Sequence, residues 1–246
     1  MIRAELARLG RKLFTQDCLL CTGASVAQPI CISCSKNLPA LKESCPVCAL
    51  PSPRHQVCGR CLAHPPHFDR TLAAWTYEFP MDRIVQAFKF HHRLELAPWF
   101  ASSLARRLDL LKPLIVPMPL HPTRLAERGF NQALEIARHV ADFAGGRLLH
   151  SAVYKHRETL LQSELPLVAR ARNVRNAFRC AENFNGNAVV VVDDVMTTGA
   201  TLNELARILK RAGASLVINL VVARTLPPGE RRAPGQFGTR QLPDAI

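Results

Sequence analysis

The sequence predicts an α/β protein, a parallel-sheet domain preceded by a small module stapled by metal. Three observations predict it. The stretch VVVVDDVMTTGAT (189–201) runs a β-branched strand into two aspartates, a hydroxyl-rich turn and the start of a helix. Strand-like and helix-like segments alternate through 115–222, the order that builds parallel sheets. Eight of the nine cysteines stand in Cys-x-x-Cys pairs near the N-terminus. With 246 residues, 48% of them apolar, the chain can bury a sizeable core in one or two domains.

The first element is an amphipathic helix over 1–16. Ile2, Leu6, Leu9 and Leu13 fall at helical spacing, with Arg3, Arg8, Arg11 and Lys12 between them. A secretory signal needs an apolar core that this segment lacks, so the better reading is a helix lying on the domain behind it. No apolar run approaches the length of a transmembrane span. The expected location is cytoplasmic, where thiols stay reduced or bind metal.

The second element, over 17–66, is a double zinc ribbon. Its pairs are Cys18/Cys21, Cys31/Cys34, Cys45/Cys48 and Cys58/Cys61, and each cysteine of the first unit recurs 27 positions later. The repeated unit is CxxC-x9-CxxC. Two residues between cysteines let both thiolates face one ion, and two such turns complete a tetrahedral site. The repeat argues for sequential pairing, one zinc per unit, with crossed pairing left open. Pro46, Pro51, Pro53 and Gly59 suit knuckle turns rather than helices. Few large apolar residues lie between Cys18 and Cys61, so burial alone can hardly fold the segment. Structural zinc supplies about 10–16 kcal/mol. Four cysteines per ion leave no place for His55, His64 or His67 as ligands, and Cys180 reads as a small buried residue.

The third element, over 67–226, is the parallel-sheet domain. Ile115 to Met118 and Ala188 to Val192 read as strands. The second, apolar throughout, fits a central strand covered on both faces. Leu202, Leu205, Ile208 and Leu209 form the stripe of a helix that ends near Gly213, and 215–222 reads as the next strand. The acids and the TTGAT turn therefore sit at the carboxyl edge of a sheet, where α/β folds bind ligands. N–H groups at a helix start form an anion site. Thr197, Thr198 and Thr201 add hydroxyls, and Gly199 permits a tight turn. Asp193 and Asp194 would repel a phosphate in contact, so they suit sugar hydroxyls or a nearby magnesium ion. Upstream, Arg124 and Arg128 flank a loop before GFNQ, and arginine forks match phosphate oxygens. No Walker motif occurs.

The stretch 189–201 closely resembles the signature of type I phosphoribosyltransferases. The resemblance implies a type I phosphoribosyltransferase-like fold, with phosphoribosyl pyrophosphate and its magnesium at Asp193, Asp194, Met196, Thr197, Thr198, Gly199, Ala200 and Thr201. The acids would hold the ribose 2′- and 3′-hydroxyls and the loop the 5′-phosphate. With the double zinc unit, the RGFN loop and TYEFPMDRIVQAFKF (76–90), nearly the whole chain up to about Thr225 resembles the ComF family of competence and DNA-utilisation proteins. The stretch from Arg157 through Gln162 to RARNVRNAF (170–178) takes the place of the family's mobile, substrate-covering loop. Arg157 there joins Arg124 and Arg128 as a pyrophosphate candidate.

The resemblance further implies handling of incoming single-stranded DNA, with a helicase and recombination proteins as partners. Lys and Arg total 32 against 19 Asp and Glu, a formal +13 that fits an anionic partner. The alternative is a catalytically active phosphoribosyltransferase of unknown acceptor with no direct DNA role. Aromatic residues amount to only 6%, few for base stacking along a strand. Trp75, Tyr77, Phe88, Phe90, Phe130 and Phe178 are the candidates, most of them better read as core. The segment 227–246, rich in Pro, Gly and Arg, reads as a flexible tail.

Overall fold

The computed structural model of the protein describes residues 15–158, 172–227 and 229. The helix expected over 1–16, almost all of the tail and the centre of the basic stretch after Arg157 lie outside these residues. Thr15 and Gln16, assigned above to the helix, belong instead to strand β1 (Thr15–Asp17), which pairs antiparallel with β2 (Ala24–Val26).

The sequence repeat is also a structural repeat. The second Cys-x-x-Cys of each unit opens a one-turn helix, α1 (Ile32–Lys36) capped by Cys31 and α2 (Gly59–Ala63) capped by Cys58. Gly59, expected in a turn, thus starts a helix. The extended backbone at Cys58 supplies the non-helical entry that a cap requires.

Five parallel strands form the main sheet. They are β3 (Arg70–Thr76), β4 (Leu114–Pro117), β5 (Arg147–Leu148), β8 (Ala188–Met196) and β9 (Leu216–Arg224), in the order β3-β9-β8-β4-β5. β6 (Val153–Lys155) and β7 (Phe178–Cys180) make a separate antiparallel pair. Cys180 is half-buried there rather than fully buried, and its thiol donates to the Glu182 carbonyl at 3.2 Å.

Helices cover both faces. Val190 and Val192 pack with Ile84 and Phe88 of α3 (Met81–Phe90) and with Phe100 of α4 (Leu96–Ala105). The short α5 (Pro122–Arg128) lies between β4 and α6 (Gln132–Ala144), and α6 adds Ile136 and Val140 to this layer. Val189 and Val191 face the other way, against Leu202, Leu205 and Leu209 of α7 (Ala200–Arg211). Successive strand side chains point to opposite faces. A strand buried on both faces must therefore be apolar at every position, as the valine run is. β8 outlasts that run, because its register with β9 persists through Asp193↔Val221 to Met196↔Arg224. Asp193 and Asp194 are strand residues, not loop residues.

The outer edge of β3 is covered by the ribbon module. Thr76 N–H donates to the Pro39 carbonyl (2.8 Å), Thr71 N–H to Pro46 (3.0 Å), and Ala40 bridges Trp75. Covering an edge strand this way removes a template for aggregation. At the centre of the sheet, the connection from β4 runs through α6 to β5, and that from β8 runs through α7 to β9. The two leave in opposite directions on opposite faces. A crevice therefore opens between the carboxyl ends of β4 and β8, the position where open α/β sheets take ligands.

Candidate functional site

Two segments border this crevice. The first follows β4 and contains Arg124, Arg128 and Asn131. Expected as a loop, it forms α5, with the left-handed Gly129 as C-cap. Arg124 pairs with Glu127 at 3.0 Å. Arg128 donates to the Gln132 Oε1 (3.1 Å) and lies 5.8 Å over the Phe90 ring. The Asn131 carboxamide accepts from the Ala133 and Leu134 N–H groups and donates to the Met118 carbonyl, tying α6 to the end of β4.

The second segment is the end of β8 and its loop. Gly199 has φ +82°, and a Cβ there would stand 2.5 Å from the Met196 Cε, so only glycine fits the turn. Met196 lies beneath the loop with its side chain buried. The Thr198 Oγ1 accepts from the Ala200 N–H at 3.2 Å, which leaves its own proton to donate outward. Among the described residues, none accepts from the N–H groups of Thr197, Thr198 or Gly199. Thr201 stands in the first turn of α7. The helix is held in place by Asn203, which accepts from the His67 N–H (2.6 Å), and by Glu204, which accepts from Asn176 N–H and Arg207.

Asp193 is strongly perturbed. Burial, then the neighbouring Asp194 charge, push the Asp193 carboxyl up to about 7. The Asp194 N–H, Lys89 and Arg128 oppose the rise. Lys89, at the end of α3, pairs with Asp194 at 2.8 Å, both side chains largely shielded. A third group of charges gathers around Lys155. Lys155 on β6 is lowered first by burial and then by Arg124 and Arg157, and Asp193 acts on it in the opposite sense. Arg124, Arg157 and Asp193, with Glu158, therefore each lie within electrostatic reach of Lys155. Arg157 also donates to the Asn173 and Arg175 carbonyls at 2.7 and 2.8 Å.

Lys89 and Lys155 were missed as site residues by sequence reasoning. A lysine at the end of an amphipathic helix or on a short strand carries no local mark of function. Arg224 was missed as well. It is 1% exposed and donates to the carbonyls of Cys48 (2.8 Å), Met196 (2.9 Å), Thr197 and Thr225. Burial lowers it to about 10, so it remains charged at neutral pH. Of the aromatic candidates, Trp75, Phe88 and Phe178 are core residues, whereas Phe90 is 60% exposed beside Arg128.

The cysteines gather sequentially. Cys18, Cys21, Cys31 and Cys34 form one cluster and Cys45, Cys48, Cys58 and Cys61 the other, with the sulfurs of each within 4.8 Å of one another. Backbone N–H groups point at the sulfurs, Cys31 to Cys18 at 3.3 Å and Cys58 to Cys45 at 3.4 Å. Burial raises the Cys18 and Cys45 thiols, but these N–H donors outweigh it and bring both down to about 7. Two sets of four converging sulfurs, one thiol of each already lowered by its backbone donors, fit zinc.

Comparison with known proteins agrees with both halves of this architecture. The double zinc ribbon domain family matches residues 9–62 and the phosphoribosyl transferase domain family residues 99–234. The DNA utilization protein YhgH of Escherichia coli (strain K12) is 36% identical over 210 residues, covering 80% of this chain and 91% of that one. Competence protein F of Haemophilus influenzae is 30% identical over 221 residues, 81% and 93% of the two chains. Competence protein ComFC of Bacillus subtilis is 28% identical over 203 residues, 78% and 82%. Pairing a phosphoribosyl transferase domain with a double zinc ribbon, and sharing this identity with its relatives over most of its length, the chain belongs to the ComF family.

Proposed function

We propose that the protein binds phosphoribosyl pyrophosphate at the β8–α7 junction and acts in DNA uptake or utilisation by handling single-stranded DNA. The observation that carries the first half is the junction's division into two chemically opposite ends. The Thr197–Gly199 amides, the Thr198 hydroxyl and the positive end of the α7 dipole suit a 5′-phosphate. The carboxylates of Asp193 and Asp194 would repel a phosphate but accept hydrogen bonds from two vicinal hydroxyls. A ribose 5-phosphate has both ends. Arg124, Lys155 and Arg157 gather positive charge for its pyrophosphate. Magnesium, brought in on the pyrophosphate, would neutralise part of the remaining negative charge.

The second half is supported by the relatives' names, which denote competence and DNA utilisation, and by the +13 charge. A helicase and recombination proteins are the partners that the family likeness implies. The convergence of cations beside the acid pair also favours a second reading, in which they stabilise departing pyrophosphate during transfer. Pyrophosphate released on mixing with a panel of nucleobases would select that reading.

Two measurements test the proposal. Phosphoribosyl pyrophosphate with magnesium is expected to raise the melting temperature, and the double substitution Asp193→Ala, Asp194→Ala to abolish the rise. An unchanged rise in the double variant would move the site elsewhere. Binding of single-stranded DNA should weaken with salt at a log–log slope of roughly −0.7 per phosphate neutralised. Affinity indifferent to salt would remove the DNA half.

A further inference from the structure

Arg224 ends β9 as the largest fully buried side chain among the described residues, and its four partners are all backbone carbonyls. Its two sides face different parts of the molecule. Nε reaches the Cys48 carbonyl across 176 positions of sequence, and Nη1 takes the carbonyls of Met196 and Thr197. A buried charge needs an opposite charge close by. Four thiolates around one divalent ion keep a net negative charge, and Cys48 belongs to such a set.

The peptide geometry gives the contact a consequence for the loop. In a trans peptide the C=O and N–H groups point in opposite directions. Drawing the Met196 and Thr197 carbonyls onto the guanidinium turns the N–H groups of Thr197 and Thr198 away from it. These are two of the three amides assigned above to the phosphate.

We propose that Arg224 is a positioning residue that couples the second zinc site to the phosphate loop. The charged Cys45–Cys48–Cys58–Cys61 centre holds the guanidinium, and the guanidinium holds the loop with its amides outward. Zinc at this centre then governs affinity for the sugar pyrophosphate without touching it. The inference rests on the reading of the loop as a phosphate site.

The full chain tests it in two ways. Calorimetry with phosphoribosyl pyrophosphate and magnesium compares the wild type with Arg224→Lys and Cys58→Ser, zinc content being measured for each. Lysine keeps the charge but cannot fork to both partners. Each variant should lose about tenfold or more in affinity, and folded variants binding within about twofold of wild type would overturn the coupling. The second test needs no variant. A chelator is titrated into the wild type, and alkylation of the released cysteines identifies which cluster has opened. Exchange of the Thr197 and Thr198 amides should accelerate about tenfold or more as the second cluster opens, while Val190 and Val192 stay protected. Unchanged loop exchange after that cluster has opened would overturn the coupling. Should the wild type not bind the sugar pyrophosphate at all, the reading of the site fails, and the exchange measurement still decides whether zinc holds the loop.

Discussion

Asp193 keeps a buried carboxyl at some expense to stability. Its carboxyl, raised to about 7 chiefly by burial and by Asp194, is partly neutral at physiological pH. Only the ionised form accepts hydrogen bonds from both lone-pair-rich oxygens. Affinity for the sugar pyrophosphate should therefore climb by up to about tenfold between pH 6 and pH 8. Asp193→Asn should bind weakly and lose this dependence, and the same slope in the variant would assign it to the ligand's phosphates instead. For folding the sign is reversed. The folded-state value lies above the unfolded one near 3.8. The resulting stability is full below the unfolded value and is lost as pH rises through 7. Asp193→Asn should then exceed the wild type by roughly 1 kcal/mol at pH 8 and lose that advantage by pH 5 in urea melts. Both aspartates stand out in the sequence as candidate ligand acceptors. Lys89, which faces Asp194 at 2.8 Å, does not, because helix α3 reaches the site only once it has packed on the sheet.

At the scale of elements, the β8–loop–α7 junction was the most legible part of the chain. A valine run, a glycine and a helical leucine stripe encode strand, turn and helix within thirty residues or so of sequence, and each of these signals is local. What misled was the strand's end. The acids look like a loop by composition, yet pairing with β9 carries the strand on to Met196. The turn itself is stringent. Gly199→Ala places a methyl 2.5 Å from the Met196 Cε at φ +82°. The substitution should cost about 1–3 kcal/mol in urea unfolding, and a loss below about 0.5 kcal/mol would show that the loop relaxes freely. The segment with Arg124 and Arg128 was legible as a polar connection but not as helix α5. A seven-residue helix leaves no periodic stripe to read.

For the whole molecule, ribbon and sheet pack as one. The ribbon covers the β3 edge through Pro39, Ala40 and Pro46, and Cys18, Ile30 and Leu38 join the core with Trp75. Metal analysis should find two zinc ions per chain. Stripping both should destabilise the parallel-sheet domain as well as the ribbon, read as a lower temperature for the loss of tryptophan signal from Trp75 and Trp99. An unchanged transition would show that the ribbon only rests on the sheet. Among the described residues, no helix is long and apolar enough to cross a membrane.

The sequence by itself determined whatever is written in short spacings. The cysteine intervals mark two units of paired thiols but leave their pairing to the fold, and the valine–aspartate–threonine run marks a strand that gives way to a hydroxyl-rich turn and a helix. Tertiary structure alone decided which distant charges meet there. Lys89, Lys155 and Arg224 arrive from three other elements; packing on the sheet brings Lys89 and Arg224 within bonding distance of Asp194 and the Met196 carbonyl, and Lys155 within electrostatic reach of Asp193. Burial then removes the water that would otherwise screen them, so contacts between distant positions set the charge of the site.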